Sequence, residues 1–261
     1  MAKSAFFDMG KPALETASRS LHTCNSTDRI GKVINLMIDK PAYRRLPVLS
    51  NGEFHGLVTI MDVLEFLCRK APIITSTVSR ITETNVVKFD KDETVRGALE
   101  TFRKEGLGGC PILDGKRLVG MISEWDFAKK VDRKTGIKVR DAMSHPAVVK
   151  GHWPVRDVAK ILCYGAFRRM PVAEKGILIG VVTPHDILSF LRKKNRLDKL
   201  HLERTPIDRI LSPRLVTIEP GADIRQAVEK MYKNKVGGLP VEHDQELLGI
   251  ITERDVLEVM A

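Results

Sequence analysis

The chain has 261 residues, of which 43% are hydrophobic, 29% charged and 5% aromatic, and a formal net charge of +10. This composition suits a globular protein of one large or two ordinary domains, and no apolar run reaches the length of a membrane span. The aromatic content offers few stacking platforms for a nucleic-acid coat, and the excess charge is clustered rather than uniform.

The clusters lie in the first quarter and in two short connectors. Residues 129–140 carry +5 through Lys129, Lys130, Arg133, Lys134, Lys138 and Arg140. Residues 192–204 carry +4 through Arg192, Lys193, Lys194, Arg196, Lys199 and Arg204. Such clusters suit phosphate ligands, an acidic protein partner or RNA. At the start of the chain, Met1 to Ser20 carries no signal-peptide pattern. Cys24, Cys68, Cys110 and Cys163 are far apart, with neither Cys-x-x-Cys nor a histidine at ligand spacing. They read as buried thiols in a reducing, cytoplasmic setting, and as neither disulfides nor zinc ligands.

In chain order the first strong signal is an apolar stripe at Ile30, Val33, Ile34 and Met37. The i, i+3, i+4, i+7 spacing predicts an amphipathic helix. A short strand follows at Leu46-Pro47-Val48, then the hairpin signal Asn51-Gly52, then a strand ending Gly56-Leu57-Val58-Thr59, then a helix from Met61. The same order recurs three times. The helix stripes are Val95/Ala98/Leu99/Phe102, Val155/Val158/Ala159/Leu162 and Ile224/Ala227/Val228/Met231. Each copy places a proline nine residues before a glycine, and the glycine six before an aspartate. The sets are Pro47/Gly56/Asp62, Pro111/Gly120/Asp126, Pro171/Gly180/Asp186 and Pro240/Gly249/Asp255. A hydroxyl residue precedes each aspartate by three, namely Thr59, Ser123, Thr183 and Thr252. Pro41 marks a one-residue insertion in the first copy. A further strand before the first helix is clearest at Leu215–Pro220.

The unit is therefore βαββα, and the fold class is α+β. The repeats span 1–70, 77–132, 137–193 and 205–261. One unit of this size buries too little to stand alone, so pairs are expected, with the connector at 129–140 dividing 1+2 from 3+4. The prolines are expected at a sheet edge or bulge and the glycines to serve the strand's backbone path.

Three positions carry the chemistry. Thr/Ser-x-x-Asp before an apolar helix is a capping pattern, in which the hydroxyl accepts from free helix N–H groups and the carboxylate suits the positive helix end. The same carboxylate can accept from a ribose diol, and the two readings can coexist. Before each Leu-Pro-like element the odd copies carry Arg44-Arg45 and Arg168-Arg169, where the even copies carry Gly108-Gly109 and Gly237-Gly238. Arginine forks suit phosphate, and the alternative is solvated or salt-bridged side chains. Two residues after each hydroxyl stand Met61, Trp125, His185 and Arg254.

The run Leu215-Val216-Thr217-Ile218-Glu219-Pro220, the Gly237-Gly238-Leu239-Pro240-Val241 element and Gly249-Ile250-Ile251-Thr252-Glu253-Arg254-Asp255 resemble the cystathionine-beta-synthase-type (CBS) domain. The resemblance covers all four copies. Two tandem units of this family form a Bateman module. Four without a catalytic domain are similar to the gamma subunit of AMP-activated protein kinase and to stand-alone prokaryotic proteins. The resemblance implies two such modules, arranged as a flat disc that is either monomeric or completed by a homodimer. It implies AMP, ADP or ATP as ligand in clefts between paired repeats, with no cofactor or metal, and a regulated protein partner. It further implies ribose or adenosine contacts from Thr59, Asp62, Ser123, Asp126, Thr183, Asp186, Thr252, Asp255, Thr23 and Thr217. Phosphate contacts would come from Arg44, Arg45, Arg168, Arg169, His185 and Arg254. Lys88 and Val148 stand where Thr23 and Thr217 do, so copies two and three would contact adenosine mostly through backbone. An S-adenosylmethionine sensor and a nucleic-acid-binding protein using the basic connectors are the alternatives. No Gly-x-Ser-x-Gly, phosphate-binding loop, metal cluster or nucleophile–base arrangement occurs, so a non-enzyme is expected.

Overall fold

The computed structural model describes residues 6–39, 43–69, 76–165, 167–193, 203–211 and 215–260. Pro41 and the connector residues Lys194, Arg196 and Lys199 lie outside them, as does the side chain of Lys193.

Repeat 1 comprises β1 (Cys24–Asn25), α1 (Ile30–Ile38), β2 (Arg45–Ser50), β3 (Glu53–Thr59) and α2 (Ile60–Cys68). Repeat 2 follows with β4 (Phe89–Asp90), α3 (Val95–Glu105), β5 (Gly109–Asp114), β6 (Arg117–Ser123) and α4 (Glu124–Ala128). After a short helix α5 (Val139–Ala142), repeat 3 supplies α6 (Val155–Tyr164), β7 (Met170–Glu174), β8 (Ile177–Val182) and α7 (Pro184–Lys193). Repeat 4 supplies α8 (Ile224–Asn234), β9 (Gly238–His243), β10 (Glu246–Thr252) and α9 (Glu253–Met260). The first strand of the unit is reduced to two residues in β1 and β4, and to the single parallel bridges Val149–Val172 and Ile218–Val241 in repeats 3 and 4.

The two long strands of each repeat form a hairpin. Asn51 and Gly52 turn the first with φ of 51° and 81°. Lys175–Gly176 and Asp244–Gln245 also adopt positive φ at their hairpin turns, although Lys175, Asp244 and Gln245 have a Cβ that disfavours it. The prolines sit beside a bulge, with register shifts at Val48/Leu49, Ile112/Leu113 and Val172/Ala173, and Pro171 and Pro240 lie on the outer strands β7 and β9. Pro47 lies in β2, the middle strand of the order β1-β2-β3. The carbonyls of Pro171 and Pro240 accept from Val149 N–H (3.1 Å) and Ile218 N–H (3.0 Å). The missing proline N–H faces the short leading strand at the point where its pairing begins, so no ladder bond is lost.

The chain forms two compact units that join alternate repeats. The even unit contains residues 1–21, 87–145 and 216–261, hence repeats 2 and 4. The odd unit contains 22–86 and 146–215, hence repeats 1 and 3. In the odd unit the predicted stripes of α1 and α6 are buried in one core with Val63, Leu64, Ile187 and Leu188 from α2 and α7. In the even unit Phe102, Phe127 and Leu257 share one cluster, while Ala128, Val228 and Val256 share another. Burying these faces removes apolar surface that a single repeat would leave exposed.

Each unit also takes in the leading segments of the repeats that follow or precede in sequence. Ala13–Glu15 packs beside β6, Val78–Arg80 in the repeat 1 unit, α5 beside β10, and Ile207–Ile210 beside β8. The conserved spacing of the glycines has its cause here. A Cβ on Gly56 would strike the Glu83 carbonyl, and on Gly249 it would meet the Met143 sulfur at 2.6 Å. Gly56→Ala is expected to destabilise the protein by about 2 kcal/mol, because a backbone carbonyl cannot swing aside. Gly31→Ala, whose Cβ meets nothing within 4 Å in α1, should be neutral or gain up to about 1 kcal/mol. Urea unfolding of the two variants separates these outcomes.

Candidate functional site

At each hairpin's end the chain enters a helix through the Thr/Ser-x-x-Asp element. In repeat 1 the Asp62 Oδ2 accepts from Thr59 N–H at 2.7 Å and from Thr59 Oγ1 at 2.8 Å, while Asp62 N–H donates to Thr59 Oγ1 at 3.3 Å. Repeat 2 repeats the geometry between Ser123 and Asp126 at 2.9 and 2.7 Å. Thr183 and Asp186 do so at 2.8 and 2.6 Å, and Thr252 and Asp255 at 2.7 and 2.6 Å. The capping function is therefore real in all four repeats, and it consumes one carboxylate oxygen each time.

The second oxygen divides the two units. Asp126 Oδ1 accepts from Lys129 Nζ at 2.7 Å, and Asp255 Oδ1 accepts from Ser144 Oγ at 2.6 Å. Among the described residues, Oδ1 of Asp62 and Oδ1 of Asp186 accept no hydrogen bond. Burial pushes both of these carboxyls upward from the ordinary aspartate value, against the pull of the Thr59 and Thr183 hydrogen bonds. Glu65 and Glu83 add to the rise at Asp62, whereas His185 opposes it at Asp186. The odd unit thus holds two half-buried carboxylates, each with an acceptor oxygen to offer a donor pair.

The neighbours follow the same division. Arg45 opens β2 directly opposite Thr59, on the same face, with exposed Arg44 just before it. Arg168 and Arg169 precede β7 at the matching place in repeat 3. In repeats 2 and 4 the residues opposite Ser123 and Thr252 are Gly109 and Gly238. The first helical residue there is an acid, Glu124 (1% exposed) or Glu253 (7%), where the odd repeats have Ile60 and Pro184. A buried carboxylate at the start of α4 or α9 disfavours an anion there, whereas no acid opens α2 or α7. Thr23 and Thr217 are half-buried at the first strand of repeats 1 and 4, next to Cys24 and Ile218. Beside Thr23 and Arg44, the rings of His22 and Tyr43 stack with centroids 4.4 Å apart. An aromatic residue, Tyr43 or Phe167, stands ahead of each arginine pair.

His185 and Arg254, expected at phosphates, have partners within the odd and even units. His185 Nε2 lies 3.4 Å from the Ile38 carbonyl and Nδ1 3.5 Å from Ser189 Oγ, so its ring bridges α7 to the end of α1. Arg254 Nε donates to Glu124 Oε1 at 2.9 Å, and its Nη2 donates to the carbonyl of Gly106, which ends α3 in the left-handed conformation. The equivalent Trp125 stacks on Tyr232 of α8, with centroids 5.9 Å apart, and Met61 packs against the odd-unit core. This position joins alternate repeats inside a unit. Arg254→Ala leaves the Glu124 carboxylate buried without its cation and is expected to cost about 2–3 kcal/mol, less than a fully buried pair because the guanidinium is partly exposed. Thermal denaturation of Arg254→Ala beside Arg254→Ala/Glu124→Gln measures it, the double variant recovering part of the loss.

The basic connector of the even unit is held down. Asp223, which caps α8, accepts from Gly136 N–H at 2.8 Å and from Thr135 Oγ1 at 3.1 Å, and the Arg133 guanidinium lies 4.8 Å over the Phe6 ring. Among the described residues no group of three or more His, Cys, Asp or Glu side chains could hold a metal, and no helix is long and apolar enough to cross a membrane.

Comparison with known proteins gives this geometry a context. Protein MJ1225 of Methanocaldococcus jannaschii is 28% identical over 273 aligned residues, covering 94% of this chain and 96% of that protein. Its crystal structure, of a proposed archaeal homologue of g-AMPK, superimposes with a TM-score of 0.86 at 27% identity, covering 96% of this chain and all of that one. A 33.4 kDa protein of the ribosomal RNA operon of Thermofilum pendens is 26% identical over 238 residues, 82% of this chain and 79% of that protein. A conserved protein of Pyrococcus horikoshii has the same fold, with a TM-score of 0.65 at 17% identity, covering 96% of this chain and all of that one. The CBS domain profile matches residues 14–69, 78–133, 139–193 and 207–261. Four successive matches, on the four units that the repeated helix starts define, place this chain in the CBS domain family.

Proposed function

We propose that this chain is a non-catalytic regulatory protein that binds an adenine nucleotide through the odd unit and signals its occupancy to a protein partner. The carrying observation is the open Oδ1 of Asp62 and of Asp186, each beside an arginine pair. A ribose diol supplies the donors that oxygen lacks, and the Arg44-Arg45 and Arg168-Arg169 forks suit the phosphates. Thr23 adds a hydroxyl beside the Asp62 site. The likeness to a proposed archaeal homologue of g-AMPK over nearly the whole chain agrees with the family resemblance from which this ligand class is expected. Asp126 and Asp255, with Ser123, Thr252 and Thr217, serve the even unit as internal caps and packing, because Lys129, Ser144 and the buried glutamates already satisfy or repel what a nucleotide would bring. Binding that favours one arrangement of the odd-unit helices is what a partner would read.

Titration calorimetry with AMP, ADP, ATP and S-adenosylmethionine tests the reading. The expected result is binding of at least one adenine nucleotide with no more than two equivalents per chain. No heat from any of the four at millimolar ligand would remove the proposal. Preference for S-adenosylmethionine would retain the ribose contact and reject the arginines' part.

A further inference from the structure

The odd unit contains a second juxtaposition that nucleotide binding does not use. Cys68 is the last residue of α2 and Cys163 the next-to-last of α6, so repeats 1 and 3 each contribute one thiol where these helices pack. The two thiols lie close enough for each to shift the other's titration. Both are partly exposed, whereas Cys24 and Cys110 are buried and donate to the carbonyls of Pro47 (3.8 Å) and Val87 (3.1 Å). The sequence, with the cysteines far apart, pointed to four unrelated buried thiols. The fold instead brings two of them together.

We propose that Cys68 and Cys163 close a reversible disulfide, by exchange with a low-molecular-weight disulfide, that joins repeat 1 covalently to repeat 3.

The surroundings assign the order of attack. The neighbouring Cys163 holds the Cys68 thiol below its ordinary value, helped by Lys160 and Arg156 on α6, with burial and Glu65 opposing. The cations of α6 favour the Cys68 thiolate, so Cys68 is assigned as the attacking thiol and Cys163 as the resolving one. In the first step Cys68 Sγ bonds to one sulfur of the small disulfide and expels the other half as a thiolate, which takes up the proton that Cys68 released. In the second, Cys163 loses its proton to solvent and attacks Cys68 Sγ. The second small thiol leaves and is protonated. One small disulfide is reduced to two thiols while two cysteines become one cystine, so two electrons pass and all atoms balance. This inference does not depend on the nucleotide reading, since no group of the Asp62 or Asp186 site takes part.

The test is glutathione exchange on the full chain, followed by thiol trapping and peptide mass mapping. The expected result is loss of two of the four free thiols, one cross-linked peptide pair containing Cys68 and Cys163, no retained glutathione, and full recovery with dithiothreitol. Cys163→Ser should stop at the mixed disulfide and keep glutathione on Cys68. Cys68→Ser should react markedly more slowly at Cys163. Retention of all four thiols in the native chain would overturn the proposal. So would stable glutathione adducts on it, or any disulfide that includes Cys24, Cys110 or a second chain.

Discussion

Asp62→Asn and Asp186→Asn are each expected to weaken adenine-nucleotide binding at their own site by roughly tenfold to a hundredfold, the worth of hydrogen bonds to a charged acceptor at about 1.5–3 kcal/mol. Asp126→Asn and Asp255→Asn provide the matched controls, since they alter the same cap but have Oδ1 already engaged by Lys129 and Ser144. Their effect on affinity should stay within about twofold, because they change helix-start stability by only about 1 kcal/mol. Calorimetry on the four variants decides it. Equal losses in all four would mean that the aspartates act only as caps.

The same carboxylates set a pH dependence. Burial raises Asp62 and Asp186 in the folded chain, so folding favours their protonated form. The stability sign follows. Their burial costs nothing at a pH below the unfolded aspartate value, and the cost grows as pH rises through the raised folded value. A ribose diol donates to the ionised form, so affinity should fall on acidification, beginning at a higher pH than an ordinary aspartate would give. Adenosine binding followed against pH reads this without interference from phosphate protonation. An Asp62→Asn/Asp186→Asn chain should show a flatter profile.

Arg44→Ala/Arg45→Ala and Arg168→Ala/Arg169→Ala are expected to reduce ATP affinity by about tenfold or more at the affected site while leaving adenosine affinity nearly unchanged, since charge-assisted arginine–phosphate bonds are lost and the ribose contact is not. The residual ATP affinity should also lose part of its salt dependence. If ATP and AMP affinities are both unchanged in the two double variants, the arginines serve the fold and phosphate is not read there. Comparison of ATP, AMP and adenosine on each variant thus separates the phosphate reading from the ribose reading of the aspartates.

Much of the local structure was legible because it depends on short-range rules. The stripe Ile30/Val33/Ile34/Met37 and its three counterparts became α1, α3, α6 and α8 with those residues buried. Asn51-Gly52 turned its hairpin with positive φ as expected, while Asp244–Gln245 did the same without the signal, because strand pairing on both sides overrides the local cost. The capping reading of Thr59/Asp62 was written in three-residue spacing. What spacing could not carry was the fate of each carboxylate's second oxygen. At Asp255 it is decided by Ser144, more than a hundred residues away in sequence, and at Asp126 by the rotamer of Lys129.

The same distinction explains His185 and Arg254. Their position in the repeat and their donors suited phosphate, but their side chains find Ile38, Ser189, Glu124 and Gly106. Satisfying a buried glutamate and an open helix end favours these contacts.

The sequence by itself determined the repeated βαββα unit, its helix and strand faces, its hairpins and its aspartate caps, since all of these follow from periodicity and from contacts a few residues apart. Only the tertiary structure decided that the compact units join repeats 1 with 3 and 2 with 4. It alone separated two open carboxylates from two closed ones and brought Cys68 to Cys163. The physical reason is common to these results. Apolar helix faces from any two repeats can satisfy the hydrophobic drive equally well in a sequence pattern, so the choice of partner rests on shape and on single polar contacts between distant residues.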